Sequence, residues 1–158
     1  MPINRLFYWD ANIFLSYING EPTKAPILEA ILDEISHSGK DKIVTSVLSK
    51  VEVAWSASEK YNRALDENEE AGIDRLWNDS SVIELIDFNE EITHIARSLR
   101  RRSMARGWKL KMADAIHLAT AEWVNALEMN TYDQQLFKYS ELIGLPVKAP
   151  VSAQPKLF

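Results

Sequence analysis

Leu6-Phe7-Tyr8-Trp9-Asp10-Ala11-Asn12 is the stretch that decides how this chain reads. Four bulky apolar residues, three of them aromatic, form the pattern of a short buried strand, and Asp-Ala-Asn ends it. A short helix continues from Ile13 to Ile18 and stops at Asn19-Gly20-Glu21-Pro22. Pro26 suits the first turn of a second helix running to about His37. Its residues Ile27, Leu28, Ile31, Leu32 and Ile35 recur at helical spacing, and Ser38-Gly39-Lys40 closes it.

Strands and helices continue to alternate outward from there. Lys42-Ile43-Val44-Thr45 is rich in β-branched residues and reads as the second strand. Ser46 is placed to cap a helix that carries Glu52 about two turns in, with Val47, Leu48, Val51, Ala54 and Trp55 as its buried stripe. A long polar helix is expected from Ser58 to Asn78, with Gly72 as its point of interruption and Asp66, Glu67, Glu69 and Glu70 as a solvated face. Ser81 to Ile86 is a third strand, and Asn89 caps a helix ending near Met104 to Gly107. Met112 to Val124 is a further helix, Ala126 to Asn130 a fourth strand, Gln134 to Tyr139 a short helix, and Pro146-Val147-Lys148 an edge strand. This alternation predicts an α/β fold with a mostly parallel sheet, whose ligands bind beyond the carboxyl ends of the strands. One domain over 1–150 with an irregular tail over 151–158 is expected, because 158 residues suit a single core and no linker divides them.

Composition narrows the function classes. The absence of cysteine excludes disulfides and zinc–thiolate sites. The N-terminus has no signal-peptide pattern, no apolar run can cross a bilayer, and a cytoplasmic location without membrane attachment is expected. Walker-type glycine loops, His-Glu-x-x-His and Gly-x-Ser-x-Gly are absent, which disfavours those enzyme classes. The net charge of −5 is unevenly spread: Arg97, Arg100, Arg101, Arg102, Arg106, Lys109 and Lys111 follow one another without an intervening acid. The rest of the chain holds 11 basic and 23 acidic residues, a net of −12. Such a segment is either a solvated helix face or a track for a phosphate backbone.

Asp10, Glu52, Asp114 and Asp133 each stand at or near the end of an element. Each has an ordinary explanation. Asp10 and Asp133 can cap helices, Glu52 can be a surface residue, and Asp114 complements a helix dipole. If the fold brings all four together, about four negative charges demand a cation, and oxygen donors select Mg²⁺ or Mn²⁺. Carboxylate-bound ions of this kind serve phosphoryl transfer.

Asp10-x-Asn12, Thr45-Ser46 leading to Glu52, Asp114-Ala115-x-His117-x-Ala119-Thr120-Ala121 and Thr131-x-Asp133 together resemble the PIN-domain family of metal-dependent ribonucleases, and within it the VapC-type toxins. The resemblance implies a PIN-like three-layer fold, a central mostly parallel sheet of about five strands flanked by helices. It implies Mg²⁺ or Mn²⁺ at Asp10, Glu52, Asp114 and Asp133 acting as the catalytic acids, cleavage of RNA, a homodimer, and a small antitoxin protein as partner. Asn12 matches the polar residue after the first aspartate and Thr131 the hydroxyl residue before the last. Arg100, Arg101, Lys109 and Lys111 are candidates for holding RNA, together with Asn12 and Thr131. Trp108, inside the basic stretch, is placed to stack on a base, whereas the other tryptophans suit the core or a dimer contact. His117 is either a packed histidine or a contact of RNA or a carboxylate. Two rivals are weighed against this reading. One is a PIN-like module that binds RNA or protein without cutting; the other is a haloacid-dehalogenase-type phosphatase, which wants Asp-x-Asp where this chain has Asn12.

Overall fold

The computed structural model describes residues 4–79 and 81–152. Its strands are β1 Leu6–Trp9, β2 Lys42–Ser46, β3 Ile83–Ile86, β4 Glu128–Asn130 and β5 Val147–Lys148. They pair in the order β3-β2-β1-β4-β5, every pair parallel. The helices are α1 Ala11–Ile18, α2 Ala25–Ser38, α3 Leu48–Glu52, α4 Ala57–Asn62, α5 Glu67–Asn78, α6 Glu90–Ala105, α7 Met112–Trp123 and α8 Ser140–Ile143, with a 3-10 helix over Gln134–Tyr139.

A parallel sheet covered on both faces needs apolar residues throughout, and β1 supplies them. Leu6 and Tyr8 pack on the side of α6 and α7, with Ile92, Leu99 and Leu118. Phe7 and Trp9 pack on the side of α1, α2 and α5, with Phe14, Leu28 and Trp77. Trp9 meets Phe14 at 5.4 Å between ring centroids, and Phe14 meets Trp77 at 5.0 Å. Each such contact contributes about 0.5–1.5 kcal/mol beyond area burial. In β2, Val44 and Ile43 divide between the same two sides. The result is the three-layer α/β fold expected from the alternation of elements.

Most element boundaries fall where the sequence places them. Pro26 sits in the first turn of α2, and Gly39 ends that helix with φ +69°, a conformation glycine adopts without a Cβ clash. Asn89 caps α6, accepting a hydrogen bond from the Ile92 amide at 2.9 Å. Residues 153–158 of the expected tail lie outside the described residues, while the Ser152 hydroxyl donates to Glu34 at 2.6 Å. Among the described residues, no helix is long and apolar enough to cross a membrane.

The segment from Ser46 to Asn78 differs from expectation. Glu52 is the last residue of a five-residue helix rather than two turns into a longer one. The Ser46 hydroxyl accepts from the Leu48 amide at 3.1 Å, but the residue at the cap position is Val47. The stripe is also different: Val51 and Trp55 are 72% and 50% exposed, Ala54 is exposed, and Ser49 and Val53 are buried instead. So short a helix buries little; the Ser49 hydroxyl lies 2.7 Å from that of Thr45, and Glu52 meets His117. The long polar helix is two helices. Arg63 turns left-handed (φ 51°) after α4, and Asp66 caps α5. Gly72 lies inside α5 and breaks nothing. Glu59, 5% exposed, is an exception among the acids here. It accepts from the Ser56 amide at 3.0 Å and the Asp66 amide at 2.9 Å, joining the two helices.

Candidate active site

The strand order places β1 at the centre, with successive strands added to its β2 side and then to its β4 side. Ligands of such sheets bind where the order reverses, beyond the carboxyl ends. Here that point lies between β1 and β4, and Asp10 stands at it, its amide bonded to the Asn130 carbonyl at 3.3 Å.

Asp10 occupies the cap position of α1 but makes no side-chain capping hydrogen bond. Its carboxylate has another setting. Oδ2 accepts from Asn12 Nδ2 at 3.2 Å. The same Asn12 amide donates to Thr131 Oγ1 at 3.1 Å, and Asn12 Oδ1 accepts from the Tyr132 amide at 3.1 Å. Thr131 Oγ1 also accepts from the Asp133 amide at 3.1 Å. One asparagine thus ties the end of β1 to the loop after β4. Asp10 is 4% exposed, and its Oδ1 is buried without a hydrogen-bond partner. Burial pushes its carboxyl up to about 6, partly offset by Thr131 and His117.

Glu52, Asp114 and His117 share with Asp10, Asn12 and Leu15 the lining of an open cleft of about 350 Å³. Asp114, in the first turn of α7, is half-buried. Its carboxyl is raised above the ordinary range by burial and then by the neighbouring charges of Asp133 and Glu52, against His117 and Lys111. Asp114 in turn raises Asp10. All four carboxylates are therefore linked electrostatically, with Asp114 as the common neighbour.

Their contacts differ. Asp133 Oδ1 accepts from the Gln135 amide at 3.0 Å and so caps the 3-10 helix. Glu52 Oε1 lies 2.5 Å from His117 Nε2, and His117 Nδ1 lies 2.6 Å from the Tyr8 hydroxyl. That hydroxyl accepts from the Ser46 amide at 3.1 Å. A carboxylate only accepts, so Nε2 carries a proton, and in the neutral ring Nδ1 accepts the Tyr8 proton. The strand-one tyrosine, His117 and Glu52 form one chain from the core to the cleft. His117 is 2% exposed, so it is a packed histidine and a contact of a carboxylate at once. Its place three residues after Asp114 is the sequence signal for this; nothing in the sequence marks Tyr8. With Glu52 turned to His117 and Asp133 to Gln135, no three His, Asp or Glu side chains among the described residues are grouped to hold a metal ion.

The four acids offer oxygen donors alone, the kind a hard divalent cation takes, and the buried Asp10 Oδ1, which has no hydrogen-bond partner, is free to act as one. Of the candidate RNA-binding residues, Asn12 and Thr131 brace the acids, Lys111 is exposed at the head of α7, and Lys109 is exposed just before it. Arg100 and Arg101 are exposed on α6. Trp108 is not a free platform: Arg106 and Lys138 lie 5.0 and 4.7 Å from its ring centroid, and Tyr139 packs edge-on at 5.3 Å. Trp9 and Trp77 are core residues, while Trp55 and Trp123 are 50% and 44% exposed.

A family model described as the PIN domain matches residues 7–142, from within β1 to within α8, and includes all four acids. The chain belongs to the PIN domain family. Comparison with curated proteins gives no match. Among solved structures, the PIN domain resembles VapBC2 from Rickettsia felis bound to a DNA fragment from its promoter, at 18% identity over 91% of this chain and 98% of that one, TM-score 0.69. It also resembles VapBC-1 from nontypeable Haemophilus influenzae, at 16% identity over 91% and 97%, TM-score 0.65. A third is VapC20 from Mycobacterium tuberculosis, a sarcin–ricin loop cleaving toxin, at 13% identity over 81% and 90%, TM-score 0.58. At these identities the likeness shows the PIN fold alone.

Proposed function

We propose that this PIN domain is a Mg²⁺- or Mn²⁺-dependent endoribonuclease and the toxin of a toxin–antitoxin pair. One observation carries the reading: a buried carboxylate with an unpaired oxygen, at the point where the strand order reverses, coupled to Asp114 and through it to Glu52 and Asp133. Asp10, Glu52, Asp114 and Asp133 would hold the ion, Asp10 foremost. When bound, the ion supplies positive charge to the phosphoryl oxygens and offsets the repulsion among the acids. The chain's own residues do the rest. Asn12, braced by Thr131, fixes the rotamer of Asp10. His117, braced by Tyr8, fixes Glu52. A carboxylate of the cluster accepts the proton of the attacking water as the new P–O bond forms and the old one breaks. Lys109 and Lys111 bring the RNA backbone to the mouth of the cleft. The residues from 1 to 150 act as one nuclease domain.

The solved VapBC complexes support a small antitoxin as partner, and an arginine of it paired to the acids would block the cleft. A homodimer and a cytoplasmic site of action complete the reading. The test is incubation of labelled RNA with the purified protein in Mg²⁺ or Mn²⁺, beside Asp10→Asn. Cleavage by wild type alone is expected. Equal cleavage by both, or by neither on any RNA tried, overturns the reading.

A second reading is a PIN module that binds RNA or protein without cutting. Among the described residues no three His, Asp or Glu side chains are grouped to hold a metal ion, which favours it. Titration calorimetry separates the two: Mn²⁺ binding abolished by Asp10→Asn supports the nuclease, and no binding supports the module.

A further inference from the structure

A second concavity, opposite in character, lies across α7 from the acidic cleft. It encloses about 440 Å³ between α6 and the first half of α7. Phe88, Met112 and Ile116 give it apolar walls, and Arg97, Arg100 and Arg101 of α6 stand along it. Phe88 is 49% exposed and Met112 65%, so two large apolar side chains face solvent beside three arginines. Phe88 follows the end of β3, at the same carboxyl edge of the sheet that carries Asp10.

The helix between the two concavities fixes their relation. At 3.6 residues per turn, Met112 and Ile116 lie on one face of α7 and Asp114 and His117 on the opposite one. The two sites are thus about one helix width apart, roughly 10–12 Å.

The charges are uncommitted. Among the described residues, Arg97, Arg100 and Arg101 make no ion pair, whereas Arg106 on the same chain segment pairs with Glu141 at 2.8 Å. Glu90, at the head of α6, lies 3.7 Å from His94. Three exposed guanidinium groups lining one groove on a chain of net charge −5 give that groove a local positive charge that favours an anionic occupant. A second copy of this chain is a poor one, since a two-fold contact sets the same patch against itself and brings the arginines together. An occupant that is anionic and also has a flat apolar face is nucleic acid with an unstacked base.

We propose that the groove between α6 and α7 is a single-stranded RNA subsite, in which a nucleobase lies against Phe88 and Met112 while neighbouring phosphates pair with Arg97, Arg100 and Arg101. The choice of RNA over an acidic peptide rests on the nuclease reading above. The subsite makes the enzyme prefer RNA that is unpaired a short distance from the cut, because a duplex keeps its bases stacked.

Binding is measured by fluorescence anisotropy with wild-type protein in EDTA, so that cleavage plays no part. The probes are a short labelled single-stranded RNA and its duplex. Phe88→Ala is expected to raise the Kd for the single strand roughly tenfold, and Phe88→Trp to retain binding. Arg97→Ala with Arg100→Ala is expected to weaken binding and flatten the salt dependence by about 0.7 in log–log slope for each phosphate left without its arginine. Unchanged single-strand affinity in these variants, with circular dichroism showing them folded, overturns the proposal. So does equal binding of single strand and duplex, a dimer that Phe88→Ala converts to monomer, or an acidic peptide that binds the groove when RNA does not. Groove-dependent RNA binding without any cleavage in Mg²⁺ or Mn²⁺ supports the subsite while removing the nuclease reading.

Discussion

Asp10→Asn should make the metal-free protein more stable. The carboxyl is 4% exposed, one of its oxygens has no partner, and burial raises it from 3.8 to about 6. An acid whose folded value lies above its unfolded one binds more protons when folded, so stability falls as pH rises between the two values. The stabilisation is fully present below about 4 and lost as pH passes through 6. A shift of about two units corresponds to about 3 kcal/mol at 1.36 kcal/mol per unit. Asparagine removes the charge and keeps the acceptor for Asn12, but places an NH₂ where Oδ1 lacked a partner, which costs about 1–3 kcal/mol. A net gain of up to about 2 kcal/mol at pH 7.5 is expected, each kcal/mol worth about 2–4 °C in Tm for a chain of this size. Thermal denaturation of both proteins in EDTA at pH 7.5 and near pH 4 reads it. The variant should melt higher at pH 7.5, with the difference closing or reversing near pH 4. A variant less stable at pH 7.5, or a difference independent of pH, would refute the claim that the charge on Asp10 strains the fold.

Mn²⁺ at about a hundred times its Kd should stabilise wild type by about 2.7 kcal/mol and Asp10→Asn much less; equal thermal shifts would place the ion elsewhere. His117→Gln should lower RNA cleavage roughly 10- to 100-fold by releasing Glu52, with the Kd for RNA little changed; a normal kcat would show that Glu52 needs no anchor. Ser56→Ala should cost about 0.5–2 kcal/mol in urea denaturation by opening the capping box with Glu59, while cleavage per folded molecule stays at wild type. Tight binding of an antitoxin should be weakened by Asp114→Ala but not by Ser56→Ala in a pull-down; the reverse order would move the contact to α4.

The parts of the fold legible in the sequence are those written in local pattern. Leu6 to Trp9 declare β1 by bulk alone, and Asn89 and Gly39 mark their helix ends by chemistry that needs no distant partner. The four acids are legible as element ends, but their proximity depends on strand order. The failures have physical causes. The five residues of α3 are too few for periodicity to speak, so Val51 and Trp55 read as core although solvent covers them. The helix α4 begins at Ser56-Ala57-Ser58-Glu59, a capping-box pattern that marks a short separate helix more surely than Gly72 marks a break. The role of Tyr8 is invisible because its partner, His117, lies 109 positions away. Trp108 reads as free because the cation that covers it from the 3-10 helix, Lys138, stands in a different element far along the chain.

The asparagine clamp across the sheet has a consequence for when, on the nuclease reading, the protein becomes dangerous. A nascent chain is made from its N-terminus, so Asp10 and Asn12 emerge about 120 positions before the loop after β4 that holds Asn12. Until β4 docks beside β1, the asparagine that holds the first aspartate lacks its own partners, Thr131 and the Tyr132 amide. On that reading a product truncated before Asn130 would carry Asp10, Glu52 and Asp114 without Asp133 or the brace on Asn12, and its cleavage of RNA would fall with them.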